Sequence, residues 1–178
     1  MMRKGICLGL ASVGAAAFLS GTATPASAAT SGDTTVTFAL VGAELSIDVQ
    51  PTADLGTGAT GAASVSGQLG TVEVSDLRGG IQNWSASATS TTFSNGGTGA
   101  GRTVSSGVSY TTGALTTSGT IVIAPIGPTA LSGTPATVAR PTAVVGNNTA
   151  AWNPTLTVSL PSDALAGSYS GTITTSVL

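Results

Sequence analysis

Apolar and polar residues alternate along most of the chain after residue 29, and this period of two is typical of half-buried β-strands. The pattern predicts strands in TTVTFALV, ELSIDV, LGTVEVSDL, NWSASAT, VSYTT, TIVIAP, WNPTLTVSL and SYSGTITTSVL. The first two segments, residues 34–41 and 44–49, lie on either side of Gly42 and Ala43, which predicts a hairpin. No segment in this part of the sequence has the period of an amphipathic helix.

The alternation also predicts which side chains face the core. The inward positions are Val36, Phe38, Leu40, Leu45, Ile47, Val49, Val72, Val74, Trp84, Ala86, Ala88, Trp152, Leu156, Val158, Leu160, Tyr169, Ile173 and Val177. Mostly polar residues, above all Ser and Thr, occupy the alternate positions, as expected of a sheet face that contacts water.

Segments rich in Gly, Ser, Thr and Pro separate the predicted strands and are predicted to be loops. They are residues 56–63, 94–103, 112–119 and 125–150, the last with candidate short strands around Thr137–Ala139 and Ala143–Val145. Pro154 has no N–H to donate, so its end of a strand is predicted to be an edge or a bulge. Together these signals predict an all-β fold, an antiparallel β-sandwich of the immunoglobulin-like or Greek-key type with about 8–10 strands.

The first 28 residues have the three parts of a secretory signal peptide. Basic residues open the chain, the apolar run Gly5–Leu19 follows, and Ala26-Ser27-Ala28 supplies a small-x-small cleavage motif. The alternative is a membrane anchor, but the run is shorter than the roughly 18 residues that a spanning helix needs. We therefore expect cleavage after Ala28, with Ala29 as the alternative, and a secreted chain of residues 29–178 that forms one domain.

Cys7 lies in the predicted leader and lacks the sequence that precedes a lipoprotein cysteine, so the secreted chain has no cysteine and no disulfide. Removing Arg3 and Lys4 from the five basic residues leaves three arginines against seven acids, a formal net charge of −4. A basic footprint is absent, and nucleic acid is therefore not an expected partner. Binding to an anionic polymer would need hydroxyls, amides or aromatic faces instead.

The secreted chain has no His, Cys or Lys, which excludes a Ser-His-Asp triad, a cysteine nucleophile and a lysine base. A zinc site built from His or Cys is excluded for the same reason. A carboxylate pair remains conceivable, but the acids are scattered. Asp48 and Asp54 flank a predicted turn without the spacing of a calcium loop. We expect no enzyme activity, no cofactor and no bound metal.

Asp76 and Arg78 stand out in the segment SDLRGGIQNW, because charge is scarce elsewhere. Their i, i+2 spacing places both on one face of a strand. The simpler interpretation is a salt bridge that fixes the strand end before Gly79 and Gly80, and the alternative is a binding site.

Trp84 and Trp152 could stack on a sugar ring if exposed, but both are in phase with inward aliphatic residues, which favours a place in the core. Tyr169 is also predicted to face inward, with a partner for its hydroxyl at the rim of the core. Ladders of Ser and Thr would additionally suit a carbohydrate- or ice-binding surface.

Two stretches resemble WxL-type cell-wall-binding domains. VSDLRGGIQNWSASATSTTF resembles their first conserved region, in which an Asp-x-Arg-Gly segment leads into a strand with Trp. WNPTLTVSLPSDALAGSYSGTITTSVL resembles their C-terminal end, where Tyr169, Ile173 and Thr174 match and the inward-facing Thr175 and Val177 stand in place of Trp and Leu. The resemblance implies non-covalent attachment to Gram-positive peptidoglycan, with Asp76, Arg78 and Trp84 in the binding region.

The sequence thus predicts a secreted, non-catalytic cell-envelope protein that associates with the wall or the cell surface. Candidate binding residues are Asp76, Arg78, Trp84, Trp152, Tyr169 and Thr175. The expected partners are a cell-wall polymer or envelope proteins, and no transmembrane anchor is expected. The alternative is a pilin-like or coat-like subunit that assembles by β-strand pairing, with TSGDTTVTFALV as the strand donated to a neighbour.

Overall fold

A computed structural model describes residues 34–178 of the chain, which divides into two units, Met1–Ala39 and Leu40–Leu178. The described residues of the first unit, 34–39, have no regular secondary structure. Thirteen strands and no helix are found in the described part of the second unit. The strands are β1 (Leu45–Val49), β2 (Ser64–Gln68), β3 (Val72–Asp76), β4 (Ala86–Ser90), β5 (Phe93–Ser94), β6 (Thr103–Val104), β7 (Val108–Thr111), β8 (Leu115–Ile123), β9 (Thr129–Leu131), β10 (Ala136–Ala139), β11 (Pro141–Trp152), β12 (Thr155–Ser159) and β13 (Ile173–Val177).

The strands form three antiparallel sheets and a short ribbon. The first sheet has the order β1-β3-β11-β8, the second β2-β12-β7-β9 and the third β10-β4-β13, while β5 pairs with β6. The loop between β9 and β10 brings the second and third sheets together, and there the Ser90 N–H donates to the Ser132 carbonyl at 2.8 Å. The first sheet packs against the other two, which confirms the predicted antiparallel β-sandwich.

The core consists of inward side chains from all three sheets, and its largest members are aromatic or branched. The buried apolar residues are Val72, Val74, Trp84, Ala86, Ala88, Val104, Val108, Tyr110, Leu131, Val138, Ala139, Val144, Ala150, Trp152, Leu156 and Val158. Their removal from water is the main stabilising contribution in a chain with no disulfide in the described part. The alternation predicted for β3 and β4 is confirmed.

The N-terminal strand and hairpin predicted from the alternation are wrong. Residues 34–44 form no strand, and Val36, Phe38 and Leu40 are 80%, 84% and 90% exposed. A period of two makes a segment able to form a strand, but the strand forms only where a partner supplies hydrogen bonds and covers one face. Of this segment, Ala43 and Glu44 exchange backbone hydrogen bonds with Leu77, and the predicted hairpin about Gly42 is absent from the described residues.

The prediction of a loop over residues 125–150 is also wrong, because the segment contains β9, β10 and most of β11. The short strands expected around Thr137–Ala139 and Ala143–Val145 are confirmed as parts of β10 and β11. At twelve residues β11 is the longest strand described. Small and polar residues, together with two register shifts against β8, hide its alternation. The first residues of β8 likewise fall within the predicted loop at 112–119.

Pro154 lies neither at an edge nor in a bulge. It is buried at the corner where the chain leaves β11 in the first sheet and enters β12 in the second. There β12 pairs with β2 on one side and β7 on the other. The missing N–H of Pro154 has no consequence at a corner, and its carbonyl accepts from the Leu69 N–H at 3.0 Å.

Candidate functional site

Asp76 and Arg78 form the ion pair that their spacing predicts. Arg78 Nε donates to Asp76 Oδ1 at 2.9 Å and Nη2 donates to Oδ2 at 3.0 Å, a two-point contact of the kind that planar guanidinium and carboxylate groups favour. The Arg78 backbone N–H donates to Oδ1 as well, at 3.2 Å. The Asp76 side chain is 2% exposed and the Arg78 side chain 26%, so the pair lies at the edge of the core where β3 ends.

The buried Asn148 lies next to this pair. It was not among the candidate residues predicted from the sequence. It lies directly opposite Asp76 in the register of β11 against β3. Its Oδ1 accepts from Trp84 Nε1 at 3.3 Å, and its Nδ2 donates to the Gly146 carbonyl at 3.1 Å. Asn148 therefore connects the first sheet to the residue that precedes β4 in the third.

The charges in this network favour the ionised carboxylate. Hydrogen bonding from Arg78 lowers the pKa of Asp76, and this effect outweighs the desolvation that would raise it. The same contact raises the pKa of Arg78. Because general acid–base catalysis requires a group that exchanges protons near the working pH, an aspartate held ionised by a two-point contact is unsuited to that role. The geometry is that of a structural tie.

Trp152 ends β11, and its indole makes a different contact. Its Nε1 donates to the hydroxyl of Tyr110 at 2.8 Å, and the two residues are 3% and 0% exposed. Burial raises the pKa of Tyr110 to about 12, although the hydrogen bond from Trp152 acts in the opposite direction. With Trp84 at 2% exposure, the core positions predicted for both tryptophans are confirmed. Neither indole face is accessible for stacking on a sugar in this structure.

Tyr169 and Thr175 lie at the rim of the sandwich. The Tyr169 hydroxyl is half-buried and within 2.6 Å of the Gly101 carbonyl and 2.8 Å of the Leu165 carbonyl, which confirms the predicted partner at the rim. Thr175 lies opposite the buried Ala88 in the pairing of β13 with β4, and its side chain is half-buried on the inner face.

The structure thus unites three of the six candidate residues and leaves three apart. Asn148 accepts from Trp84 and lies opposite the Asp76 of the Asp76–Arg78 ion pair, so these three candidates are neighbours, whereas Trp152, Tyr169 and Thr175 have no hydrogen bond to them among residues 34–178. A role in ligand binding for any of them stays a prediction.

The carboxylates of the described residues are dispersed. Asp54 accepts from the Gly56 N–H at 2.8 Å within its own turn, and Asp48 lies opposite Glu73 in the pairing of β1 with β3. Within residues 34–178 no three metal-ligating side chains come together. None of the described segments forms a helix long and apolar enough to cross a membrane.

The outer face of the second sheet carries an array of uncharged polar side chains, which we call the hydroxyl face. Its members are Ser64, Ser66, Gln68, Ser109, Thr111, Thr155, Thr157 and Ser159. Two rungs run across three strands, Gln68–Thr155–Thr111 and Ser66–Thr157–Ser109, and a third rung pairs Ser64 with Ser159. All eight point away from the buried Leu156, Val158, Val108 and Tyr110. The sequence signal for this face is the polar half of the alternation in β2, β7 and β12.

The hydroxyl face differs from the outer faces of the other two sheets. Its seven hydroxyls make no side-chain hydrogen bond to another residue of the described part, whereas Ser87 and Ser176 of the third sheet bond each other at 3.1 Å. The first sheet presents Asp48 and Glu73 side by side on its outer face. The hydroxyl face is therefore neutral and has donors and acceptors free for a ligand.

Comparison of the chain with protein-family models, with curated proteins and with solved structures found no match. The resemblance to WxL-type domains rests on the two sequence stretches alone and stays a prediction.

Proposed function

We propose that the chain is a secreted, non-catalytic protein of the cell envelope that associates non-covalently with wall polysaccharide through the hydroxyl face. The neutral array on the second sheet carries the proposal, because its seven hydroxyls make no side-chain hydrogen bond within the described part, while Gln68 Oε1 accepts from Asn153 Nδ2 at 2.8 Å. It places Thr155 and Thr157 of β12 at its centre and Ser66 and Ser109 on the neighbouring strands. The leader-like segment at residues 1–28 supports export to the compartment in which such a polymer occurs.

Peptidoglycan glycans offer hydroxyls and amides in a repeating order, and the outer face of a β-sheet offers partners at regular intervals. Neighbouring strands are about 4.8 Å apart and alternate residues on one strand about 6.7 Å apart. Each neutral hydrogen bond contributes only about 0.5–1.5 kcal/mol, because it replaces a bond to water. We therefore expect weak binding at one site and retention by many sites on an insoluble polymer. The absence of charge on this face predicts little dependence on salt.

The test is co-sedimentation of the secreted chain with purified peptidoglycan. Thr157→Glu places a charge at the centre of the hydroxyl face and should abolish pelleting. Thr149→Glu is the matched control, because Thr149 is equally half-buried on the outer face of the first sheet. Failure of the unmodified chain to pellet at any pH, or equal loss in both variants, would contradict the proposal.

The resemblance to WxL-type domains locates binding elsewhere and is tested in the same assay. The double variant Thr175→Trp/Val177→Leu restores the expected Trp-x-Leu on β13. If pelleting rises in this variant and is unchanged by Thr157→Glu, the C-terminal strand and not the hydroxyl face is the contact with the wall.

A further inference from the structure

The segment Thr34–Val41 combines the pattern of a buried strand with full exposure. Val36, Phe38 and Leu40 recur at every second position and are 80%, 84% and 90% exposed. The segment contains no charged residue, since the neighbouring charges are Asp33 before it and Glu44 after it. Leaving three large apolar side chains of one face in water is unfavourable, and natural proteins interrupt such exposed strands with charges or proline.

The sandwich has an open side where this pattern would fit. There β1 is the edge of the first sheet and β13 the edge of the third, and the two strands lie near each other. The inward residues of both strands are incompletely covered. Leu45, Ile47, Ile173 and Val177 pack against the core but are only half-buried, Thr175 is also half-buried, and Val49 is 42% exposed. The inward residues of the central strands β3 and β4 are, by contrast, fully buried. One further strand with apolar side chains facing inward would cover this side.

The backbone before β1 argues against the segment filling this side in its own copy. The Ala43 N–H donates to the Leu77 carbonyl at 3.0 Å, so the pairing with β3 continues as far as Ala43. Only Gly42 separates Ala43 from the segment, and Gly42 lacks the positive φ that a two-residue hairpin turn requires. The backbone at Gly42 therefore does not have the conformation of the predicted hairpin turn.

We propose that Thr34–Val41 of one copy adds as a strand to the free edge of β1 of a second copy, on the side where β13 is the neighbouring edge, with Val36, Phe38 and Leu40 facing its core. Strand addition supplies backbone hydrogen bonds to an unpaired edge and buries alternate side chains in pockets. The donated segment and the accepting edge are different surfaces, so the contact is heterologous, and repeated donation builds an open polymer. The hydroxyl face takes no part in this contact. A negative result for wall binding would therefore leave the proposed self-association untouched, and the reverse is also true.

The decisive experiment measures the mass of the secreted chain by sedimentation velocity over a wide range of concentration. The unmodified chain should form dimers and longer species as the concentration rises. Phe38→Asp should weaken self-association by at least about a hundredfold, because the charge would enter the second copy's core. Thr37→Asp is the matched control, since it adds the same charge one residue away on the outward face, and it should assemble almost as the unmodified chain does.

The accepting edge is tested with a second pair of variants. Thr175→Lys points a charge inward on β13 and should block acceptance, while Thr174→Lys places it outward on the same strand and should not. A Thr175→Lys chain should still donate its strand to Phe38→Asp, so a mixture of the two should give dimers and nothing longer. If Thr175→Lys lowers thermal stability severely, the Phe38→Asp and Thr37→Asp pair decides alone.

Three results would overturn the proposal. One is an unmodified chain that is monomeric at every concentration. Another is equal assembly of Phe38→Asp and Thr37→Asp. The last is a monomer in which the amides of residues 34–41 are protected from hydrogen exchange, because the segment then pairs within its own copy.

Discussion

Trp84 and Trp152 lie in the same core at 2% and 3% exposure, and each indole donates its N–H to a buried oxygen. The acceptors differ in kind. Trp152 donates to the Tyr110 hydroxyl at 2.8 Å, whereas Trp84 donates to the Asn148 side chain at 3.3 Å. The first distance is that of a strong bond and the second lies beyond the usual range.

The two surroundings also respond to opposite extremes of pH. Tyr110 is neutral, and burial raises its pKa, so the Trp152 pair is sensitive to base. Asn148 lies opposite Asp76, and Arg78 lowers the pKa of Asp76. The surroundings of Trp84 are therefore sensitive to acid. Two equally buried tryptophans can therefore contribute differently to stability. The group that accepts the indole N–H determines whether the site is sensitive to acid or to base.

Truncation of the two indoles gives the largest expected effect. Trp84→Ala and Trp152→Ala should each lower the free energy of unfolding by about 3–5 kcal/mol, through lost burial and the cavity left behind. Trp152→Ala should cost more, since it leaves the fully buried Tyr110 hydroxyl without its donor, whereas Asn148 keeps its bond to Gly146. Urea unfolding measures the loss of stability in each variant. If Trp84→Ala costs as much as Trp152→Ala or more, the predicted difference between the two sites is wrong.

Alkaline titration isolates the Trp152 pair. Because folding raises the pKa of Tyr110 to about 12, its contribution is fully present below the unfolded value near 10 and is lost as the pH rises through the folded value. The free energy of unfolding, measured by urea titration, should fall by about 1–3 kcal/mol between pH 9 and pH 12. Tyr110→Phe should lack this loss, and Tyr169→Phe, which removes the other tyrosine hydroxyl, should retain it.

The strands that could be predicted from sequence are those with one buried and one solvated face over their whole length. In β3 and β4 every second residue enters the core, so the alternation is unbroken. In β11 the register shifts twice against β8. The shift between Pro141 and Ala143 moves the following side chains to the other face, and the shift between Val145 and Asn148, beside Gly146 at φ 69°, interrupts the alternation with two unpaired residues. The strand predicted for Thr34–Val41 is wrong for the opposite reason, since Val36, Phe38 and Leu40 alternate as in a strand but the described fold supplies no pairing strand.

Among the contacts of the candidate residues, the one between residues close in sequence could be predicted and those between distant residues could not. The Asp76–Arg78 pair is set by i, i+2 spacing and could be predicted. Asn148 meets Trp84 across 64 positions and Trp152 meets Tyr110 across 42, and both contacts depend on how the sheets pack. The signal for Asn148 was its phase with Ala150 and Trp152, but an adjacent pair of asparagines more often indicates a turn.

Acid titration is the counterpart for the Trp84 network, and its effect should be smaller because Arg78 is partly exposed to water. Asp76→Asn should lower the free energy of unfolding at pH 7 by about 1–2 kcal/mol, since an amide accepts only one of the two guanidinium bonds. Folding lowers the pKa of Asp76, so its contribution is present above the unfolded value near 4 and disappears as the pH falls through the folded value. The difference in the free energy of unfolding between the unmodified chain and Asp76→Asn should therefore shrink below pH 4.

The smallest expected effect separates charge from geometry at the same site. Arg78→Lys keeps the positive charge beside Asp76 but replaces the planar fork with a single ammonium, so one of the two side-chain bonds is lost. Because Arg78 is 26% exposed, we expect a cost below about 1 kcal/mol at pH 7, with the acid sensitivity largely retained. Arg140→Lys, at an exposed residue, serves as the control. A cost as large as that of Asp76→Asn would mean that the two-point contact, and not the neighbouring charge, is what stabilises the ionised carboxylate of Asp76.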